Sequence, residues 1–278
     1  MNLSQRMLAD TAAEFRAAIV GHVRDSLDVD LTIVRPSGAL HEFKLQVRFP
    51  GSKPVPVVCE REPRQLPAVC VERHINADGS FCLNWDPGDP GHVTDLRTAR
   101  LFWSWLSQFL ELQLTAQSIR RWPGARYARA HGDAAAPQAI AEHIARAFGS
   151  QAHGDLFEGV FRTRESGKGA TATLDLYRAE ILVARVHRVS GFLINPEAIC
   201  LCDSGRAART PISRCTDHRY QIPRLANAIQ QWHQKDAAMV RCIRDAGIPC
   251  CDTLDYCELR NLPPRQQNRR HRQLSRVH

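Results

Sequence analysis

The chain has 278 residues, 44% of them hydrophobic and 24% charged, which suits a globular protein of one large domain or two ordinary ones. No apolar run approaches the ~20 residues that cross a bilayer, and Met1 to Arg6 lacks the apolar core of a secretory signal, so a cytoplasmic protein without a membrane partner is expected. The net charge is +8, but residues 265–278 alone hold Arg265, Arg269, Arg270, Arg272 and Arg276 without an acid, leaving a body near +3 and no expectation of a nucleic-acid partner.

Residues 3–25 read as an amphipathic helix, with Leu8, Phe15, Ile19 and Val23 on one face. Asp28 to Val34 alternates weakly, and Pro36-Ser37-Gly38 marks a hairpin turn. Phe43, Leu45, Val47 and Phe49 alternate with Lys44, Gln46 and Arg48, the pattern of a half-buried strand. Val55 to Cys59 is a third strand and Pro67 to Val71 a short fourth. Thr94 or Asp95 caps a helix with Leu101, Phe102, Trp105, Phe109 and Leu112 on one broad face. Trp122-Pro123-Gly124 breaks the pattern, Ala134 to Phe148 is helical again, and small polar residues at 149–154 mark a boundary. Beyond it, Leu156 to Arg162 and Thr171 to Ile194 read as strands around the turn Arg164 to Gly169, and Pro223 to Ala246 as a helix. The expected organisation is α+β: a domain over 1–150, a cysteine-rich α+β domain over 151–264, and a basic, disordered tail over 265–278.

Between the fourth strand and the next helix lies His74-Ile75-Asn76-Ala77-Asp78-Gly79-Ser80-Phe81-Cys82-Leu83. Asp78-Gly79 favours a tight turn, because glycine takes a positive φ without a Cβ penalty. The turn delivers the Cys82 thiol at a fixed place, with an imidazole and an amide just upstream. That arrangement suits a nucleophile with supporting groups, although a cysteine between Phe and Leu also suits a core. Asp86, Asp89, His92 and Asp95 follow, either as solvated loop charges or as groups able to orient an incoming amine.

Helix, four-strand meander, proline-studded link, His-x-Asn and cysteine occur in an order that resembles the ubiquitin-conjugating enzyme (UBC) fold over roughly residues 1–148. Phe49-Pro50, Pro54 and Pro56 resemble that family's proline-rich strand connection, and His74-Ile75-Asn76 its His-Pro-Asn motif. Gly79-Ser80-Phe81-Cys82-Leu83 resembles its acceptor-cysteine segment, while Trp85, Trp122-Pro123 and His131-Gly132 are similar to bacterial members. Ile75 stands where the motif has proline, and the Asn-to-Cys spacing is two residues shorter than in the eukaryotic pattern.

The resemblance implies a transferase of ubiquitin-like conjugation. Cys82 would accept a ubiquitin-like modifier from an activating enzyme as a thioester and pass it to an amine of a protein target. Bacterial relatives of this kind occur in operons tied to antiphage defence. Asn76 would either brace the loop or donate to the oxyanion; His74 would hold the loop, or donate to the oxyanion or orient Asn76. The catalytic domain would need no cofactor. The alternative is a non-catalytic adaptor on the same fold, against which the presence of Cys82 argues.

Seven of the ten cysteines lie at or beyond residue 200. Cys200, Cys202, Cys215, His218, Cys251 and Cys257 are candidate zinc ligands by residue type, since zinc takes thiolate and imidazole. No Cys-x-x-Cys pair is present, so buried or redox-active thiols stand beside zinc as readings. The domain that carries them is expected to recognise a partner.

Overall fold

The computed structural model describes residues 1–51, 55–83, 91–123, 130, 132–203, 209–255, 257 and 259–260. The architecture is α+β. Helix α1 (Leu3–Ala12) starts on a capping box, in which the Asn2 side chain accepts from the Gln5 amide and the Gln5 side chain accepts from that of Asn2. It does not run to residue 25 as its apolar spacing suggests. A 3-10 turn over Ala13–Phe15 ends with Arg16 in the left-handed region at φ 58°, and the chain then becomes strand β1 (Ala17–Val23). Ile19 and Val20 carry β-branched side chains that suit a strand, and pairing with β2 (Ser26–Val34) decides the matter.

β2, β3 (Leu40–Arg48) and β4 (Val57–Glu60) complete an antiparallel sheet in the order β1-β2-β3-β4. The register places Leu27 opposite Val47, Val29 opposite Leu45 and Leu31 opposite Phe43, all fully buried on one face. Residues 67–71, expected as a fourth strand, instead hold an isolated bridge at Cys70 and lead into a 3-10 turn over Val71–Arg73.

Helix α2 (Leu96–Ile119) is capped by Asp95, whose carboxylate accepts from the Thr98 amide at 2.7 Å. It covers the apolar sheet face with Phe102, Trp103, Leu106, Phe109, Leu110 and Leu114, and α1 adds Leu8. Leu101, Trp105 and Leu112, expected on the core face, are only half-buried; Trp103 and Leu106 take the centre instead. The Trp103 indole donates to Leu8 O and Thr11 Oγ1, each at 3.1 Å, so its polar edge is satisfied inside the core.

A second core gathers around α3 (Ala135–Phe148), α4 (Ser150–Phe157), the antiparallel strands β5 (Phe161–Ser166), β6 (Thr173–Arg178) and β7 (Ile181–His187), and helix α5 (Gln221–Asp245). The 149–154 stretch, read as a boundary, lies largely within α4. Buried Asp175 accepts two hydrogen bonds from Arg185, both at 2.7 Å, so this charge enters the fold paired.

The chain divides into two compact units. One takes in the described residues of Met1–Gly124 and Val240–His278, the other those of Ala125–Met239. The division thus differs from the expected boundary near residue 150: residues beyond 240 return to the first unit. The basic tail, 265–278, lies outside the described residues. Among the described residues no helix is long and apolar enough to cross a membrane.

Candidate active site

The Asp78-Gly79 turn has a defined geometry. The Asn76 amide donates to Ser80 O at 2.8 Å and the Gly79 amide to Asn76 O at 2.9 Å, with Gly79 at φ 78°. This is a three-residue hairpin loop closed by a left-handed glycine. Side chains reinforce it: the Ser80 hydroxyl donates to Asp78 Oδ1 at 2.6 Å, and Asn76 Nδ2 donates to Ser80 Oγ at 3.0 Å. The bond from the Ser80 hydroxyl, with that from the Ser80 amide, holds the Asp78 carboxyl below its ordinary value. Asn76 therefore braces the turn in this structure. An amide nitrogen carries two N–H donors, and bracing uses one of them on an exposed side chain.

The hairpin is tied to the core on both arms. The Phe81 amide donates to Val58 O of β4 at 2.8 Å, and the Phe81 ring stacks on Phe109 of α2 with centroids 4.7 Å apart. One residue on, the Cys82 amide donates to His74 O at 2.9 Å. His74 thus positions the thiol through its backbone. It adopts φ 56°, a region in which histidine is enriched among non-glycine residues, and its buried ring lies 5.1 Å from that of Trp122.

Ile75 explains the absent proline. Its amide donates to Cys70 O at 2.9 Å while its carbonyl accepts from the Cys70 amide at 3.0 Å. Proline has no N–H and would lose the first of these bonds. Beneath the loop, the buried Arg73 side chain donates to Gln113 Oε1 at 2.7 Å, Gln113 O at 3.1 Å and Thr253 Oγ1 at 3.1 Å. Gln113 Nε2 returns a bond to Arg73 O at 2.6 Å. Burial lowers the Arg73 pKa from its ordinary value. Neither Arg73 nor Gln113 stood out in the sequence; a charged residue beside the motif and a glutamine on an apolar helix face were the only signals.

Cys82 is half-buried, and burial pushes its thiol above the ordinary 9.0. At neutral pH it rests as the thiol. Asp95 Oδ1 is engaged as the cap of α2. His92 is half-buried. Pro54, Trp85, Asp86, Asp89 and His131 lie outside the described residues.

The six candidate zinc ligands divide. Cys200, Cys202, Cys215 and His218 converge, with their ligand atoms all within 4.8 Å of one another. Cys215 Sγ lies 3.2 Å and Cys200 Sγ 3.8 Å from His218 Nδ1, and Cys202 Sγ lies 4.0 Å from Cys215 Sγ. An isolated bridge between Ile199 and Pro211 and the 3-10 turn Ile212–Arg214 bring the Cys-x-Cys and Cys-x-x-His pairs together, which spacing alone does not reveal. Burial pushes the Cys200 thiol up to about 12. Three sulfurs and one imidazole nitrogen are a complete donor set for a tetrahedral structural zinc, so these residues fit that ion. Cys251 and Cys257 are not in this cluster. Both belong to the first unit, where Cys251 meets Cys70 and Cys257 bonds with Cys250.

Residues 15–124 match the family model described as prokaryotic E2 domain. Residues 130–259 match the model described as cysteine-rich domain, C-terminal to E2 domain. No curated protein and no solved structure matches the chain. The two matches and the element order agree with a bacterial E2-like protein that acts in ubiquitin-like conjugation.

Proposed function

With residues 15–124 as a prokaryotic E2 domain, we propose that this protein is a carrier enzyme whose Cys82 holds a ubiquitin-like modifier as a thioester. The Cys82 sulfur attacks the modifier's C-terminal carbonyl on the activating enzyme, and the activating enzyme's thiol leaves. A target amine then attacks the new thioester, an amide forms, and the Cys82 thiol is released. Sulfur suits both halves because it is a strong nucleophile and a good leaving group. The proposed setting is an operon with a modifier and an activating enzyme, of the kind tied to antiphage defence.

The observation that carries the proposal is the pinned thiol. A braced hairpin, a buried strand bond and the His74 carbonyl fix Cys82 at the edge of the core. A cysteine that only filled space would not call for this framework. We assign the second N–H of Asn76 to the oxyanion, where a single donor is worth ~10²–10³ in rate.

Zinc on Cys200, Cys202, Cys215 and His218 is the proposed structural ion of the second unit, a unit we assign to partner recognition. It would hold the Cys200–Cys202 and Cys215–His218 pairs together and take no part in the transfer. Metal analysis of the purified chain should return one zinc, lost together in Cys202→Ser and Cys215→Ser; a metal-free folded chain would refute it.

The test of the transfer is incubation with a candidate modifier, its activating enzyme and ATP. A reductant-sensitive adduct should form on the native chain and be absent in Cys82→Ala. An adduct that persists in this variant rules out the assignment.

A further inference from the structure

Two cysteines 181 positions apart meet within the first unit, and neither belongs to the proposed zinc cluster. Cys251 Sγ lies 2.8 Å from Cys70 Sγ. That separation falls between the ~2.05 Å of a disulfide and ordinary contact between two sulfurs. Both sides of the approach are fixed. Cys70 is buried and locked to Ile75 by two backbone bonds, and its carbonyl also accepts from the Arg73 amide at 3.2 Å. Cys251 contacts Thr253 Oγ1 at 3.1 Å, and the Arg73 guanidinium reaches that same hydroxyl.

The segment around Cys251 is itself anchored. The Asp255 amide donates to Arg120 O at 2.8 Å, and Arg120 Nε donates to Asp255 Oδ1 at 2.7 Å. Leu254 is buried in a small apolar cluster with Cys70 and Ala116, against which Trp122 and Cys251 pack. The two sulfurs are thus brought together by two independently held segments, and neither is used in the proposed thioester chemistry.

We propose that Cys70 and Cys251 are a redox-active pair that closes to a disulfide under peroxide and fastens the 250–255 segment to the loop supporting Cys82. Cys251 is the attacking sulfur, because it is half-buried whereas Cys70 is buried. Its hydrogen bond with Cys70, then its bonds to Thr253 and the nearby Arg73, draw the thiol down to about 5. The bond to Cys251, followed by burial, pushes the Cys70 thiol in the opposite direction. The Cys251 thiolate attacks one peroxide oxygen, giving a sulfenic acid and hydroxide. The Cys70 sulfur then attacks the sulfenic sulfur, forming the S–S bond and releasing water. Peroxide gains two electrons and the two sulfurs lose them. A dithiol reductant reverses the step by exchange.

The test uses the full reduced chain. It is treated with stoichiometric hydrogen peroxide at pH 7, unfolded, alkylated, digested and read by mass spectrometry. The expected result is a peptide joining Cys70 to Cys251, removed by dithiothreitol and absent in Cys251→Ser. Cys251 should lose its reactivity at least ~10-fold faster than Cys82, as its thiolate character requires. Bridging of Cys251 to Cys250 or Cys257, or a chain in which Cys70 and Cys251 stay unbridged, overturns the proposal. Protection of both thiols that only a chelator relieves also overturns it, by pointing to a metal. The linked peptide from the native chain decides the question even if the variant folds poorly.

Discussion

Cys82 and Cys251 lie in the same unit and differ in almost every respect that sets thiol chemistry. Cys82 is held by the backbone, and burial alone displaces its thiol upward from 9.0. Cys251 is held by side chains, and a thiol, a hydroxyl and a guanidinium draw it down to about 5. The lesson is that presentation and ionisation are separate properties. A carrier of an acyl group gains from a fixed, quiet sulfur that meets an activated carbonyl brought by a partner. A redox sulfur needs standing thiolate and a second sulfur within reach.

The widest separation between the two is in charging. Cys82→Ala should abolish the reductant-sensitive adduct, whereas Cys251→Ala should retain it; loss of the adduct in both variants would merge the two roles. Next in size is Asn76. Asn76→Ala should slow transfer by ~10²-fold, whereas Ser80→Ala, which removes only the brace, should leave it within about threefold in single-turnover assays. Equal losses in the two variants would reduce Asn76 to a brace.

Arg73 links the two regions, since it supports the His74 loop from below and faces Thr253 beside Cys251. Gln113→Leu removes one bond from the buried Arg73 guanidinium and one to the Arg73 carbonyl, and should cost about 1–3 kcal/mol in urea unfolding, with Thr253→Val costing less. The mildest contrast is in pH. Iodoacetamide labelling of Cys251 should already be flat between pH 7 and 9, because its thiol lies well below that window. Labelling of Cys82 should still climb across it, close to tenfold per unit, because its thiol lies above 9.0. A plateau for Cys82 near pH 7 would place an unrecognised cation beside it.

Much of this was legible in the sequence where period and punctuation agree. The alternation through Phe43, Leu45 and Val47 gave β3, the Asp95 cap gave the start of α2, and Asp78-Gly79 gave the hairpin below Cys82. Residues 17–23 misled because Ile19 and Val23 fit a helical spacing from Leu8 and Phe15, while the partner that makes them a strand lies across a turn. The α2 face shifted by one position because Trp103, rather than Trp105, finds acceptors for its indole on α1. Leu254 packs with Cys70 and Ala116, so a fragment ending near residue 150 would lose part of the first unit's own apolar packing.

Sequence by itself determined the α+β class and the hairpin below Cys82, because these follow from side-chain period and from what glycine allows locally. Tertiary structure alone decided the rest. It showed that the Cys82 amide is bonded to the His74 carbonyl, that the Ile75 N–H, which proline lacks, is bonded to Cys70, and which four of six candidate ligands converge. It also set Cys251 against Cys70, since ionisation depends on neighbours that the chain brings from 181 residues away.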